Sequence, residues 1–162
     1  MADVVCDTTA LQYLHQLGLL HLLPALANRV IIPPAVVDEL EVGRARGYDV
    51  PDPATLDWLE IRRPSGNATL PSTPNLGVGE REVMALALEQ PGLIAVLDDG
   101  LARETAQRLH LPLTGTLGLL IDAKGAGLVQ QVAPLLDRLQ ALGFRLSART
   151  RVAVLRLAGE EA

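Results

Sequence analysis

Six acidic residues fall where a folded chain would gather them. Asp7 follows Val4-Val5-Cys6, Asp98 and Asp99 follow the run from Ile94 to Leu97, Glu39 comes shortly after Pro33-Pro34, and Glu80 and Glu82 open a segment beginning at Gly79. Carboxylates brought together repel one another unless protons or cations intervene. Mg²⁺ or Mn²⁺ is the simplest compensation, because both prefer hard oxygen ligands and keep several waters. Three or four carboxylates around a partly open ion suit phosphodiester hydrolysis, in which the ion polarises a phosphoryl oxygen and lowers the pKa of an attacking water. Asp7, Glu39, Glu80, Glu82, Asp98 and Asp99 are therefore the candidate metal ligands.

That chemistry needs elements that bring the six to one place. Val4-Val5-Cys6, Val30-Ile31-Ile32 and Ile94-Ala95-Val96-Leu97 read as short buried strands, and Leu111-Pro112-Leu113-Thr114 as a fourth. Leucines at helical spacing follow the first strand, from Leu11 through the cluster at Leu19 to Leu23. Further helices are expected from Ala35 to Leu40, over 79–89, 101–109, 116–124 and 129–142, and over 147–158 with Ser147 as its cap. Between Gly43 and Asn75 five prolines break the pattern, leaving a short helix at 54–59, a strand at 59–62 and a loop at 65–75. Nearly all-apolar strands alternating with amphipathic helices predict a three-layer α/β/α domain spanning 1–162, with a central, mostly parallel sheet. In such a sheet ligands bind outside the carboxyl ends of the strands, where Asp7, Asp98 and Asp99 fall. Each position also has a plainer explanation: Asp7 as a helix cap, Glu80 and Glu82 as first-turn charges, Asp98-Asp99-Gly100 as a turn, Glu39 on a solvated face.

Composition narrows the function classes. Fourteen basic against nineteen acidic side chains give a net charge of −5, which excludes a broadly cationic nucleic-acid wrapper. The single cysteine, Cys6, makes no intrachain disulfide, and with His15, His21 and His110 it gives no zinc spacing. No apolar run approaches a membrane span, so a cytoplasmic protein without membrane contact is expected. Four aromatic residues, Tyr13, Tyr48, Trp58 and Phe144, predict no base-stacking platform. Arg103, Arg108 and Lys124 are the cations expected nearest the acidic edge.

The sequence resembles the PIN-domain family, in particular the uncharacterised branch of predicted nucleic-acid-binding proteins related to VapC toxins. The resemblance is carried by Val4-Val5-Cys6-Asp7-Thr8-Thr9, Ile32-Pro33-Pro34-Ala35-Val36-Val37-Asp38-Glu39-Leu40, Leu76-Gly77-Val78-Gly79-Glu80-Arg81-Glu82, Leu97-Asp98-Asp99 and Thr114-Gly115-Thr116-Leu117-Gly118. Gly143-Phe144-Arg145-Leu146-Ser147 before a last helix matches as well. The resemblance implies a Mg²⁺- or Mn²⁺-dependent ribonuclease acting on an RNA substrate, with catalytic residues falling on Asp7, Glu39, Glu80 and Asp99. Glu82 stays open as the alternative to Glu80, whose spacing to Ala85 and Ala87 fits better, and Asp98 as the alternative to Asp99. Leu97 stands where the family signature has threonine. For a toxin of a toxin–antitoxin pair the resemblance also implies an antitoxin-like protein partner and a homodimer, for which Leu17 to Leu26 offers an apolar face. Two alternatives are a catalytically inactive PIN-like scaffold that binds a protein partner and a carboxylate-metal phosphatase.

Overall fold

The structure, a computed structural model, describes residues 1–67 and 70–160. Its strands are β1 (Val4–Cys6), β2 (Val30–Ile32), β3 (Leu59–Ile61), β4 (Ile94–Val96) and β5 (Leu113–Thr114). Its helices are α1 (Thr8–Gln16), α2 (Leu22–Leu26), α3 (Pro34–Ala45), α4 (Val78–Glu89), α5 (Gly100–Arg108), α6 (Thr116–Gly125), α7 (Ala133–Ala141) and α8 (Ala148–Leu157). The strands make one sheet in the order β3-β2-β1-β4-β5, every neighbouring pair parallel, flanked by helices as the alternation predicts. The central strand β1 is buried along its whole length, the position for which a continuous β-branched run is suited.

Register places the strand ends together. Cys6 pairs with Val96, so the chain leaves β1 at Asp7 beside the point where it leaves β4 at Leu97 and Asp98. The next strand outward keeps step: the Leu97 N–H donates to the Thr114 carbonyl at 2.9 Å. Thus α1, α5 and α6 all begin at the same sheet edge.

Several boundaries differ from the sequence expectation for local reasons. The leucine run after β1 is split into α1 and α2 at Gly18, whose φ of +73° ends the first helix. The expected helix at 54–59 is only a 3₁₀ turn, Pro53–Thr55, capped by Asp52. Pro112 leaves β5 two residues long, and α7 begins at Ala133 because Pro134 is accommodated only in a first turn. Leu17, Leu22 and Leu23 are buried, so much of the leucine-rich stretch is used within the core. The loop expected at 65–75 includes Ala68 and Thr69, which lie outside the described residues.

Candidate active site

Asp7 caps α1: its Oδ1 accepts the Ala10 N–H at 2.9 Å. Its side chain is 2 % exposed, and Oδ2 is buried with no hydrogen-bond partner. Burial raises the Asp7 carboxyl to about 8, and the neighbouring charges of Asp98 and Glu80 push in the same direction against the Ala10 hydrogen bond and the lesser pull of the Asp98 backbone N–H. A cap explains one oxygen of this carboxylate; the second makes no hydrogen bond.

Asp98 is held by the start of α6. Oδ1 accepts the Thr116 N–H at 2.8 Å and Oδ2 accepts the Thr116 hydroxyl at 2.7 Å. Burial nevertheless raises its pKa, opposed by those two bonds and by Arg103, whose guanidinium donates to the Leu97 carbonyl at 2.9 Å. The junction tolerates no side chain at Gly115, where a Cβ would stand 2.8 Å from Asp98 Oδ1 and 2.9 Å from the Arg103 guanidinium. Leu97 is buried in the core, so the hydroxyl that serves Asp98 comes from Thr116. Asp99 is exposed and caps α5, its Oδ2 accepting the Ala102 N–H at 3.1 Å.

On the other side of Asp7, Glu80 folds back so that Oε1 accepts the Gly77 N–H at 3.0 Å, a capping-box contact at the start of α4. Its pKa is raised by burial, with Asp99 and Glu39 adding to the effect. Glu39 accepts the Thr8 hydroxyl at 2.9 Å and lies against Gly79, where a Cβ would collide with Oε1. Glu82 faces elsewhere: its Oε1 accepts the Ala35 N–H at 3.1 Å and so satisfies a free donor at the start of α3.

The fold thus brings Asp7, Asp98, Asp99, Glu80 and Glu39 to one edge, coupled pairwise through their charges, and sets Glu82 apart. Among the described residues no three His, Cys, Asp or Glu side chains converge closely enough to hold a metal as they stand. The donor set still fits a hard divalent cation: the Asp7 Oδ2 is orphaned, and added positive charge would relieve the repulsion among its acidic neighbours. Cys6 is fully buried with its thiol pKa pushed up by burial and by Asp7 and Asp98, which leaves it an unreactive core residue.

Of the cations expected here, Arg108 pairs with Glu104 at 2.7 Å and Lys124 with Glu160 at 2.9 Å, whereas Arg103 does reach the Asp98 junction. Sequence reasoning missed Arg145 and the aromatic contact beside it. Tyr13 and Phe144 pack edge to face next to Asp98 and Asp99, with ring centroids 5.1 Å apart and planes at 78°. Sequence reasoning did not pair these two rings; the one sequence signal was the Gly143 to Ser147 motif, which carried no assigned role.

No curated protein matches the chain. A family model described as a PIN domain matches residues 3–160. The parallel sheet with its acidic edge lies wholly within that match, and the chain belongs to the PIN-domain family.

Proposed function

We propose that the chain is a Mg²⁺- or Mn²⁺-dependent endoribonuclease. PIN domains are in general nucleases that bind nucleic acid and typically use divalent metals. The observation that carries the reading is the buried Asp7 Oδ2, left without a hydrogen-bond partner among like charges. Asp7, Glu39, Glu80 and Asp99, with Asp98 beside them, would hold the ion. When bound, it would polarise the phosphoryl oxygen and lower the pKa of water. Glu80 is preferred to Glu82 because its charge couples to Asp7, Asp99 and Glu39, whereas Glu82 turns away to the start of α3.

The chain's own residues prepare the rest. Thr116 fixes the orientation of Asp98, Thr8 that of Glu39 and the Gly77 N–H that of Glu80, so little side-chain freedom remains to be lost when substrate arrives. The N-termini of α1, α5 and α6 meet at this edge, and their dipoles favour the negative charge of a phosphodiester. Raised pKa values at Asp7, Asp98 and Glu80 mean that the edge takes up protons when no cation offsets it.

Titration calorimetry of Mn²⁺ into the wild type and Asp7→Asn, followed by cleavage of an RNA oligonucleotide, tests this reading. Binding and cleavage in the wild type, with both lost in the variant, are expected. Metal-stimulated cleavage unchanged by Asp7→Asn would overturn it. A non-cleaving module that binds a protein partner is the second reading, favoured by the spread of the carboxylates, no three of which converge among the described residues. It predicts neither Mn²⁺ affinity nor cleavage. Control by an antitoxin-like partner and assembly as a homodimer extend the first reading from resemblance, and co-purification and light scattering test them. Among the described residues no helix is long and apolar enough to cross a membrane.

A further inference from the structure

The segment from Gly143 to Ser147 takes no part in the carboxylate group, yet the fold delivers it to the same edge. α7 is stopped by Gly143 at φ +99°, where the Gly143 N–H donates to the Gln140 carbonyl and the Phe144 N–H to the Leu139 carbonyl, each at 3.0 Å. Three residues later Ser147 caps α8 by accepting the Thr150 N–H at 3.1 Å. Phe144 and Arg145 are therefore presented from a short connector fixed at both ends by helix termini.

Two hollows lie on either side of this connector. One, of 280 Å³, is lined by Thr9, Tyr13, Asp98, Asp99, Phe144 and Arg145. The other, of 360 Å³, is lined by Asp98, Arg103, Gly115, Thr150 and again Phe144 and Arg145. Asp98 and Arg145 border both. Arg145 is exposed, and no hydrogen bond or ion pair engages its guanidinium among the described residues, unlike Arg108 and Lys124. An aromatic edge and an unpaired guanidinium side by side match the two recurrent parts of a nucleotide, a flat base and a phosphate.

We infer that the hollows flanking Phe144-Arg145 are consecutive nucleotide subsites for single-stranded RNA, with a base against the Tyr13–Phe144 pair and the intervening phosphate on Arg145. This rests on the ribonuclease reading and names how the strand is held there. Bases of a duplex are stacked within the helix and do not reach such a ring, so the site selects unpaired strands. Stacking tolerates every base, so discrimination among sequences at this position is weak. The local cation also explains how a chain of net charge −5 grips a polyanion at an acidic edge.

The test is fluorescence anisotropy of a labelled single-stranded RNA oligonucleotide with the purified chain in Ca²⁺, strand integrity being checked on a denaturing gel. Arg145→Gln should weaken binding roughly fivefold to tenfold and flatten the log–log salt slope by about 0.7, the contribution of one phosphate contact on a single strand. Phe144→Leu, which keeps an apolar group for packing, should weaken binding at least about fivefold without changing that slope. Arg108→Gln should bind as the wild type does, and thermal melts establish that all three variants are folded. Wild-type affinity in both Arg145→Gln and Phe144→Leu overturns the subsites while leaving the ribonuclease reading standing, as does equal affinity for a duplex of the same sequence. A wild type that neither binds nor cleaves RNA removes both.

Discussion

At the scale of single residues, Asp7 sets the balance between stability and chemistry. Its carboxyl is raised to about 8 in the folded chain against an ordinary 3.8, so the native state holds a proton that the unfolded state releases. The contribution of Asp7 to the stability of the metal-free protein is therefore fully present below about pH 4 and is lost as pH rises towards about 8, at about 1.4 kcal/mol per pKa unit as an upper limit. Asp7→Asn keeps an oxygen for the Ala10 cap and removes the charge, so in EDTA at pH 7.5 its Tm should exceed that of the wild type by about 4–8 °C. Scanning calorimetry of both proteins across pH 4 to 8 checks this, and a lower Tm for the variant throughout would contradict it. The residue types at this edge were legible in the sequence, but their choice was not. Glu80 and Glu82 are two positions apart on one helix, about 200° around its axis, so they face different neighbours, and only the placement of α3 shows that Glu82 meets Ala35. Asp98 and Asp99, adjacent in the turn between β4 and α5, also meet different partners, one clamped by Thr116 and one capping α5.

At the scale of elements, the strands were readable because β-branched apolar runs end at polar residues, and several helices because caps such as Asp7 and Ser147 precede them. The break at Gly18 was not, since a leucine-rich pattern continues across it and only backbone conformation reveals the stop. Nor was the contact of Phe144 with Tyr13, which joins α1 to the connector between α7 and α8 and has no local periodicity to announce it. That connector makes a separable prediction. A Cβ on Gly143 would meet nothing within 4 Å, so the cost of Gly143→Ala comes from its φ of +99° alone. A destabilisation of about 1–2 kcal/mol and a Tm lower by about 2–8 °C are expected, with Mn²⁺ affinity unchanged. A parallel loss of metal affinity, measured by calorimetry, would show that the connector and the carboxylates do not act separately.

At the scale of the whole molecule, the five-stranded sheet and its apolar core join elements from both ends of the sequence, from Val4 in β1 to Val154 in α8. We read residues 1–162 as one domain, which should unfold in a single cooperative transition by both calorimetry and circular dichroism. Mn²⁺ at about 100 times its Kd should add about 2.7 kcal/mol to that stability through mass action, and Asp7→Asn should lose the increment. Two separated transitions would contradict the single domain, and an equal metal response in both proteins would place the ion elsewhere. The carboxylates of the acidic edge all lie between Asp7 and Asp99, whereas Phe144 and Arg145 lie beyond residue 140, on a connector that contributes no strand. Heredity can therefore alter one without the other: changes confined to residues 143–147 leave the carboxylates, and the Thr116 that orients Asp98, as they were inherited.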